Sequence, residues 1–310
     1  MEATALNLPA DLRAALDQDI GSVDTTHLGI AAFLDVLGAR VRTQAEAEEL
    51  LGRVRDLVEY TERSVLPGLN TVIQGTNLRD EIGHPDVRVV GDAILLTWVI
   101  GGKTGLFLHC SLLLQEMFVR ALMNLLPVRG AIGIGDIFYG EGEKNAVLGS
   151  GITDCADWFE RPDIIGVIAT PRYGLFLEWL MAEMKMDEEG MLPFYLRYPT
   201  PLSGEKRGEK SESMWTLSWP YVYLEDCRLA GCDARKTLLH DFSRFEMPVG
   251  TEQKYRYAHD FYDHYMGTWG GEDQIRRPHD QPYVKDIVTP WPSNGNAQTP
   301  PSAPADLSPA

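Results

Sequence analysis

The hydrophobic pattern of residues 27–98 predicts a strand, a helix and a hairpin in that order. The run HLGIAAFLDVL (27–37) is apolar almost throughout and predicts a strand. The segment TQAEAEELLGRVRDLVEYTERSV (43–65) has leucine and valine on one face and charged residues on the other, which predicts an amphipathic helix. The run VRVVGDAILLTW (87–98) has Gly-Asp between two β-rich runs, as a hairpin requires.

The same alternation continues to residue 184. The pattern predicts a helix over 104–125, a strand over 128–140, a helix over 148–161, a strand over 164–170 and a helix over 171–184. The resulting order, β-α-β-β-α-β-α-β-α, predicts an α+β fold with a ferredoxin-like βαββαβ core. We expect an antiparallel or mixed sheet with the helices packed on one face.

The predicted topology brings two aspartates together. Asp35 ends the first strand and Asp92 lies in the turn of the hairpin. In a split βαβ arrangement these two positions lie side by side at the same edge of the sheet. We therefore expect the two carboxylates to meet.

Composition changes along the chain and suggests four parts. Residues 1–22 predict a short helical arm, and 23–188 carry the alternating pattern. Residues 189–288 predict an extension packed on the core, with late strands at FYLRY (194–198) and MWTLSWPYVYL (214–224) and a polar, aromatic-rich helix after them. Residues 289–310 are mostly Pro, Ser, Ala and Asn and predict a disordered tail.

Charge and cysteine content limit the function classes. The formal net charge of −17 argues against general binding to nucleic acid or to an anionic membrane, because both require a cationic surface. No apolar run is long enough for a membrane span, and the N-terminus lacks the pattern of a secretion signal. The four cysteines show no CxxC pairing. We therefore expect a cytoplasmic protein with reduced thiols.

Two converging carboxylates predict a divalent metal site. A single aspartate at a strand end or in a hairpin turn usually serves turn geometry. Two unpaired carboxylates that repel each other are better explained by shared cations, and oxygen ligands select Mg²⁺ or Mn²⁺. Two such ions can bridge a triphosphate and activate an attacking hydroxyl, which suggests phosphoryl or nucleotidyl transfer.

Four motifs occur in the order of the class III nucleotidyl cyclase catalytic domain. They are AFLDVLGAR, VVGDAILLTW, RGAIGIGDIFYG and VLGSGITDCADWFE. The resemblance covers residues 28–170. In detail the chain resembles the bacterial pyrimidine cyclases of the Pycsar antiphage system, which share the FLDVLG form and have a C-terminal extension. The resemblance implies that UTP or CTP is converted to a cyclic mononucleotide and pyrophosphate, and that the product activates a separate effector protein.

The resemblance also implies roles for individual residues. Asp35, Asp92 and the carbonyl of Val36 correspond to ligands of two Mn²⁺ or Mg²⁺ ions. Arg88 occupies the place of a base-reading lysine, and its guanidinium suits the acceptor oxygens of uracil, although cytosine offers acceptors as well. The loop that wraps the triphosphate corresponds to Phe33, Leu34, Val36, Leu37 and Gly38.

Three departures from the family pattern bear on substrate and catalysis. Ala146 stands where purine cyclases have a base-selecting aspartate, which argues against ATP and GTP. Asp154 replaces the ribose-positioning asparagine, and Trp158 replaces the arginine that stabilises the transition state. Another cation must then supply that charge. We expect Arg40 to do so, with Arg129, Lys144 and Arg161 as alternatives.

The resemblance further implies a homodimer with sites between two chains. With Arg88 as the base-reading residue, we expect UTP rather than CTP as the substrate. Three alternatives stay open. The first is a cytidylate cyclase of the same architecture. The second is a cyclase-like module that binds nucleotides without turnover. The third is a metal-dependent phosphohydrolase that uses His259 and His264, although their spacing of five puts them on different faces of a helix.

Overall fold

The computed structural model describes residues 27–37, 43–65, 85–99, 105–139, 147–203, 213–245 and 250–269. The predicted arm and the predicted tail lie outside these residues. The chain forms an α+β fold, as predicted, built on one seven-stranded mixed sheet.

Nine strands are described, seven of them in the main sheet and two in a small hairpin. They are β1 (Leu28–Val36), β2 (Asp86–Val90), β3 (Ala93–Val99), β4 (Val128–Asp136), β5 (Phe138–Tyr139), β6 (Val147–Leu148), β7 (Gly166–Ala169), β8 (Tyr195–Pro199) and β9 (Ser213–Leu217). The order in the main sheet is β2-β3-β1-β4-β7-β9-β8, and β5 pairs with β6. Only β4 and β7 pair in parallel among these neighbours.

Eight α-helices are described. They are α1 (Gln44–Tyr60), α2 (Gly105–Met123), α3 (Ser150–Trp158), α4 (Pro171–Met184), α5 (Glu188–Met191), α6 (Trp219–Ala230), α7 (Ala234–Arg244) and α8 (Glu252–Trp269). A π-helical turn continues α1 to Val65. The start of α1 is fixed by a capping box, in which Thr43 accepts from the backbone of Glu46 and Glu46 accepts from the backbone of Thr43.

The two faces of the sheet bury different residues. Ile30, Ala32 and Leu34 of β1 point into the large core, which also contains the apolar residues of α2 and α4. Ala31 points to the opposite face, where α3 packs through Cys155. The expectation that all helices pack on one face was therefore wrong for α3. Small residues on β4 allow α3 to lie close, since a Cβ atom on Gly135 would come within 2.5 Å of the backbone of Gly151.

The C-terminal part of the chain continues the sheet. β9 pairs antiparallel with β7, and β8 pairs antiparallel with β9. The predicted strand over 214–224 is only half correct, because the chain leaves β9 and begins α6 at Trp219. Pro220 lies in the first turn of α6, where it costs no helical hydrogen bond.

Candidate functional site

Asp35 and Asp92 lie next to each other at one end of the sheet. Asp35 pairs across the ladder with Ala93, the residue that follows Asp92. The backbone N–H of Val36 donates to the carbonyl oxygen of Asp92 at 3.2 Å. The two positions that the sequence analysis singled out are therefore brought together.

The turn between β2 and β3 explains how Asp92 reaches this position. Only Gly91 and Asp92 separate the paired residues Val90 and Ala93. A two-residue hairpin turn requires a left-handed residue, and Gly91 has φ of 66°. Asp92 itself is exposed, so that its side chain can reach a ligand at the edge of the sheet.

Arg129 neutralises Asp35 from the neighbouring strand. The two residues face each other in the β1–β4 ladder, and Arg129 Nε donates to Asp35 Oδ2 at 2.9 Å. Arg129 Nη1 also donates to the carbonyl oxygen of Glu160 at 2.8 Å. The side chains of Asp35 and Arg129 are only 14% and 16% exposed. This ion pair is therefore largely shielded from solvent.

Burial dominates the electrostatics of Asp35. It raises the pKa of the carboxyl group above its ordinary value, and the negative charges of Asp92 and Glu160 raise it further. The hydrogen bond and charge of Arg129 lower the pKa but do not fully compensate. Burial first, and the two neighbouring carboxylates second, thus disfavour the ionised form of Asp35, and a nearby cation would offset both effects.

The donor set at this edge fits a hard divalent cation. Asp35, Asp92 and the carbonyl of Val36 offer only oxygen ligands, and Mg²⁺ is commonly bound by one or two carboxylates together with substrate phosphates. Within the described ranges there is no group of three or more His, Cys, Asp and Glu side chains that could hold a metal ion by itself. Two carboxylates are thus a partial site, which a polyphosphate would complete.

The predicted phosphate loop is partly engaged with the protein itself. The N–H of Val36 is bonded to Asp92, and the N–H of Leu37 donates to the carbonyl oxygen of Pro127 at 2.8 Å. Leu34 is buried, and the ring of Phe33 lies 5.2 Å from that of Phe159. Phosphate binding by this loop would therefore depend on the N–H groups after Leu37. The catalytic candidate Arg40, together with Gly38, Ala146 and Lys144, lies outside the described residues.

Arg88 has a donor that is not used. Its side chain forms an ion pair with Asp86, and its guanidinium lies 5.9 Å from the ring centre of Tyr139. The Tyr139 hydroxyl is fixed in turn by Thr97, at 2.9 Å between the two oxygens. Arg88 Nη1 is buried and has no hydrogen-bond partner among the described residues. An acceptor atom of a ligand could reach this donor only if the guanidinium turned outward, because the nitrogen is buried as the side chain now lies.

Asp154 is not close to the carboxylate pair within one chain. Thr170 donates to its Oδ2 at 2.6 Å, and a Cβ atom on Gly133 would lie 2.8 Å from the same oxygen. Gly133 is four residues along β4 from Arg129, or about 13 Å at 3.3 Å per residue. Burial raises the pKa of Asp154, and the bond from Thr170 lowers it.

The remaining candidates have simpler structural roles. Trp158 packs against the apolar cluster on the α3 face of the sheet, and Arg161 is exposed. His259 lies 3.4 Å from Asp263, and His264 packs against the ring of Tyr198. All four cysteines are free, and three of them are buried, as the absence of CxxC pairing indicated.

The contact that sequence reasoning missed is the pairing of Arg129 with Asp35. Arg129 was considered only as a cation for phosphates. The available signal was its position at the start of a predicted strand.

No protein-family model matches the chain, and no curated protein sequence matches it. Among the described residues, no helix combines the length and apolar character needed to cross a membrane.

Proposed function

We propose that the chain is a metal-dependent uridylate cyclase, which converts UTP to 3′,5′-cyclic UMP and pyrophosphate. The observation that carries the proposal is the juxtaposition of Asp35 and Asp92 at the end of β1 and in the β2–β3 turn. The arrangement β3-β1-β4 with the crossing helices α1 and α2 supports the resemblance to class III cyclases. We accordingly propose the class III cyclase fold for residues 28–170.

In this proposal, Asp35, Asp92 and the carbonyl of Val36 hold two Mn²⁺ or Mg²⁺ ions. When bound, these ions would neutralise the triphosphate and lower the pKa of the attacking hydroxyl. The chain's own residues hold the α-phosphate in line with the 3′ oxygen of the ribose. The 3′ hydroxyl would lose its proton to solvent as a bond forms between its oxygen and the α-phosphorus. The bond from the α-phosphorus to the oxygen that bridges to the β-phosphate would break, and pyrophosphate would leave.

Arg88 would select the base. Its unpartnered Nη1 is buried beside Asp86 and Tyr139, and it would donate to O4 or O2 of uracil once the guanidinium turns toward the base. Ala146 has no side chain that could recognise a purine by a hydrogen bond. Cytosine also carries acceptors, so CTP is the competing substrate.

A homodimer would complete the site. Asp154 lies beside Gly133, about 13 Å along β4 from Arg129, the neighbour of Asp35, so a ribose contact would come from the partner subunit. Large exposed apolar side chains lie on β2 and on the β5–β6 hairpin, which supports a contact with a second copy. They are Val89, Val90, Phe138, Tyr139 and Leu148. The product would act as a second messenger on a separate effector in cytoplasmic antiphage defence.

The test is to incubate the purified chain with each of the four nucleoside triphosphates and Mn²⁺ and to identify products by mass spectrometry. We expect cyclic UMP as the main product and its loss in Asp35→Asn and Asp92→Asn. Asp56→Asn, an exposed aspartate on α1, is the matched control and should keep full activity. Cyclic AMP as the main product, or the absence of any cyclic nucleotide, would contradict the proposal.

A nucleotide-binding module without turnover is the second candidate. It is favoured by two observations: Thr170 engages Asp154, and Trp158, which is partly buried, packs against the apolar cluster on the α3 face of the sheet. Metal-dependent binding of UTP without release of pyrophosphate would support this candidate over the cyclase.

A further inference from the structure

The Asp35–Arg129 ion pair occupies one oxygen of a proposed metal ligand. Arg129 Nε is bonded to Asp35 Oδ2, and the two residues are direct cross-strand neighbours on β1 and β4. A metal that used this oxygen would have to displace the guanidinium. Metal binding and the ion pair are therefore in competition.

Charge balance around Asp35 favours that exchange. The negative charges of Asp92 and Glu160 both act on Asp35, and Arg129 supplies one positive charge. The pair thus leaves a net negative charge at the edge of the sheet. A divalent cation between Asp35 and Asp92 neutralises both carboxylates, whereas Arg129 is hydrogen-bonded only to the first.

Arg129 also has a second partner to which it can remain bound. Its Nη1 donates to the carbonyl oxygen of Glu160, two residues after the end of α3. The C-terminal end of a helix carries partial negative charge and attracts a cation. When Asp35 turns toward a metal, the guanidinium can remain at the end of α3 without becoming an unpaired buried charge.

We infer that Arg129 is a displaceable counter-ion: it neutralises Asp35 in the metal-free protein and releases the carboxylate when a divalent cation binds. The inference rests on the metal ligands of the proposed function but not on turnover. It gives Arg129 a positioning role, because the residue holds the Asp35 carboxylate against β4 before metal binds. The ion pair also lowers the affinity for metal, compared with a site in which both carboxylates are free.

The experiment uses Arg129→Met in the full-length chain, which keeps the length of the side chain and removes its charge. Mn²⁺ binding is measured without nucleotide, by the loss of the electron paramagnetic resonance signal of free Mn²⁺. We expect the variant to bind Mn²⁺ about tenfold more tightly than the wild type. In EDTA the variant should unfold at a lower temperature, and Mn²⁺ should raise its unfolding temperature more than that of the wild type.

The matched control is Arg235→Met, which removes an arginine–aspartate pair of the same 2.9 Å length between α7 and α8. This control should leave Mn²⁺ affinity unchanged. Equal or weaker binding by Arg129→Met would overturn the inference, since it would show that the pair does not compete with metal. If Arg129→Met does not fold, Arg129→Gln, which also removes the charge but keeps a hydrogen-bond donor, carries the test. It should bind Mn²⁺ more tightly than the wild type, and equal or weaker binding again overturns the inference.

The outcomes separate this inference from the proposed function. Tighter Mn²⁺ binding without cyclic nucleotide synthesis by the wild type would support the counter-ion and contradict the cyclase. Synthesis of cyclic UMP with unchanged Mn²⁺ affinity in Arg129→Met would support the cyclase and overturn the counter-ion.

Discussion

Glu116 should make the stability of the fold depend on pH near neutrality. It lies on α2, within electrostatic reach of Asp226 on α6, and Arg120 lies 3.5 Å from the Asp226 carboxylate. Burial raises the pKa of Glu116 to about 7, Asp226 raises it too, and Arg120 partly offsets these effects. Below about pH 7, the Glu116 carboxyl group of the folded chain is therefore mostly protonated.

The direction and the size of the change in unfolding free energy with pH follow from this raised pKa. The folded state holds a proton that the unfolded state releases near pH 4.5, so the contribution of Glu116 to stability is fully present below pH 4.5 and is lost as pH rises through about 7. For pKa values of 4.5 and about 7, the loss between pH 5 and pH 8 is about 2.5 kcal/mol. Glu116→Gln keeps a neutral side chain of the same shape and should remove this loss.

The assay is urea unfolding of the wild type and Glu116→Gln at pH 5, 6, 7 and 8. The variant should gain about 2.5 kcal/mol over the wild type between the first and the last pH. Glu62→Gln, which changes an exposed side chain, serves as the control, and its unfolding free energy should change with pH as that of the wild type does. If the unfolding free energy of Glu116→Gln also changes with pH as that of the wild type does, the reasoning about this buried carboxyl is refuted.

Two glycine-to-alanine substitutions should change the free energy of unfolding in opposite directions, because the backbone conformation differs at the two positions. Gly149 has φ of 141°, and a Cβ atom there would lie 1.9 Å from the carbonyl oxygen of Asp136, so Gly149→Ala should cost about 2 kcal/mol or more of unfolding free energy. Gly52 lies within α1 with nothing near an added Cβ atom, so Gly52→Ala should stabilise by about 0.5 to 1 kcal/mol. Urea midpoints measure both, and a neutral Gly149→Ala or a destabilising Gly52→Ala would contradict the respective argument.

The carboxylate pair could be predicted because its signals are local. A run of apolar residues that ends at Asp35 and a Gly-Asp turn at Asp92 are each visible in the sequence, and the split βαβ order brings them to one edge. The partner of Asp35 could not be read in the same way. Its pairing with Arg129 spans 94 residues and depends on the register of β1 against β4, which no local pattern fixes.

The error at α6 has a different cause. Trp219, Val222, Tyr223 and Leu224 are buried on more than one side of the helix, so no polar face marks a period of 3.6 residues. Aromatic and β-branched residues then favour a strand by propensity alone. The placement of α3 on the opposite face was missed because the order of helices and strands along the chain does not determine on which face of the sheet each helix packs.

The pairing of β7 with β9 has a consequence for anyone who divides this protein. The sequence boundary at residue 188 falls between strands of one continuous sheet. Phe107 of α2 lies about 6 Å from the rings of both Phe194 and Tyr195, so the two stretches also share an aromatic interior. A fragment ending at 188 would have a bare strand edge and a cavity beside it, which invites aggregation. Recombinant work on residues 23–188 should therefore retain the chain at least through Leu217.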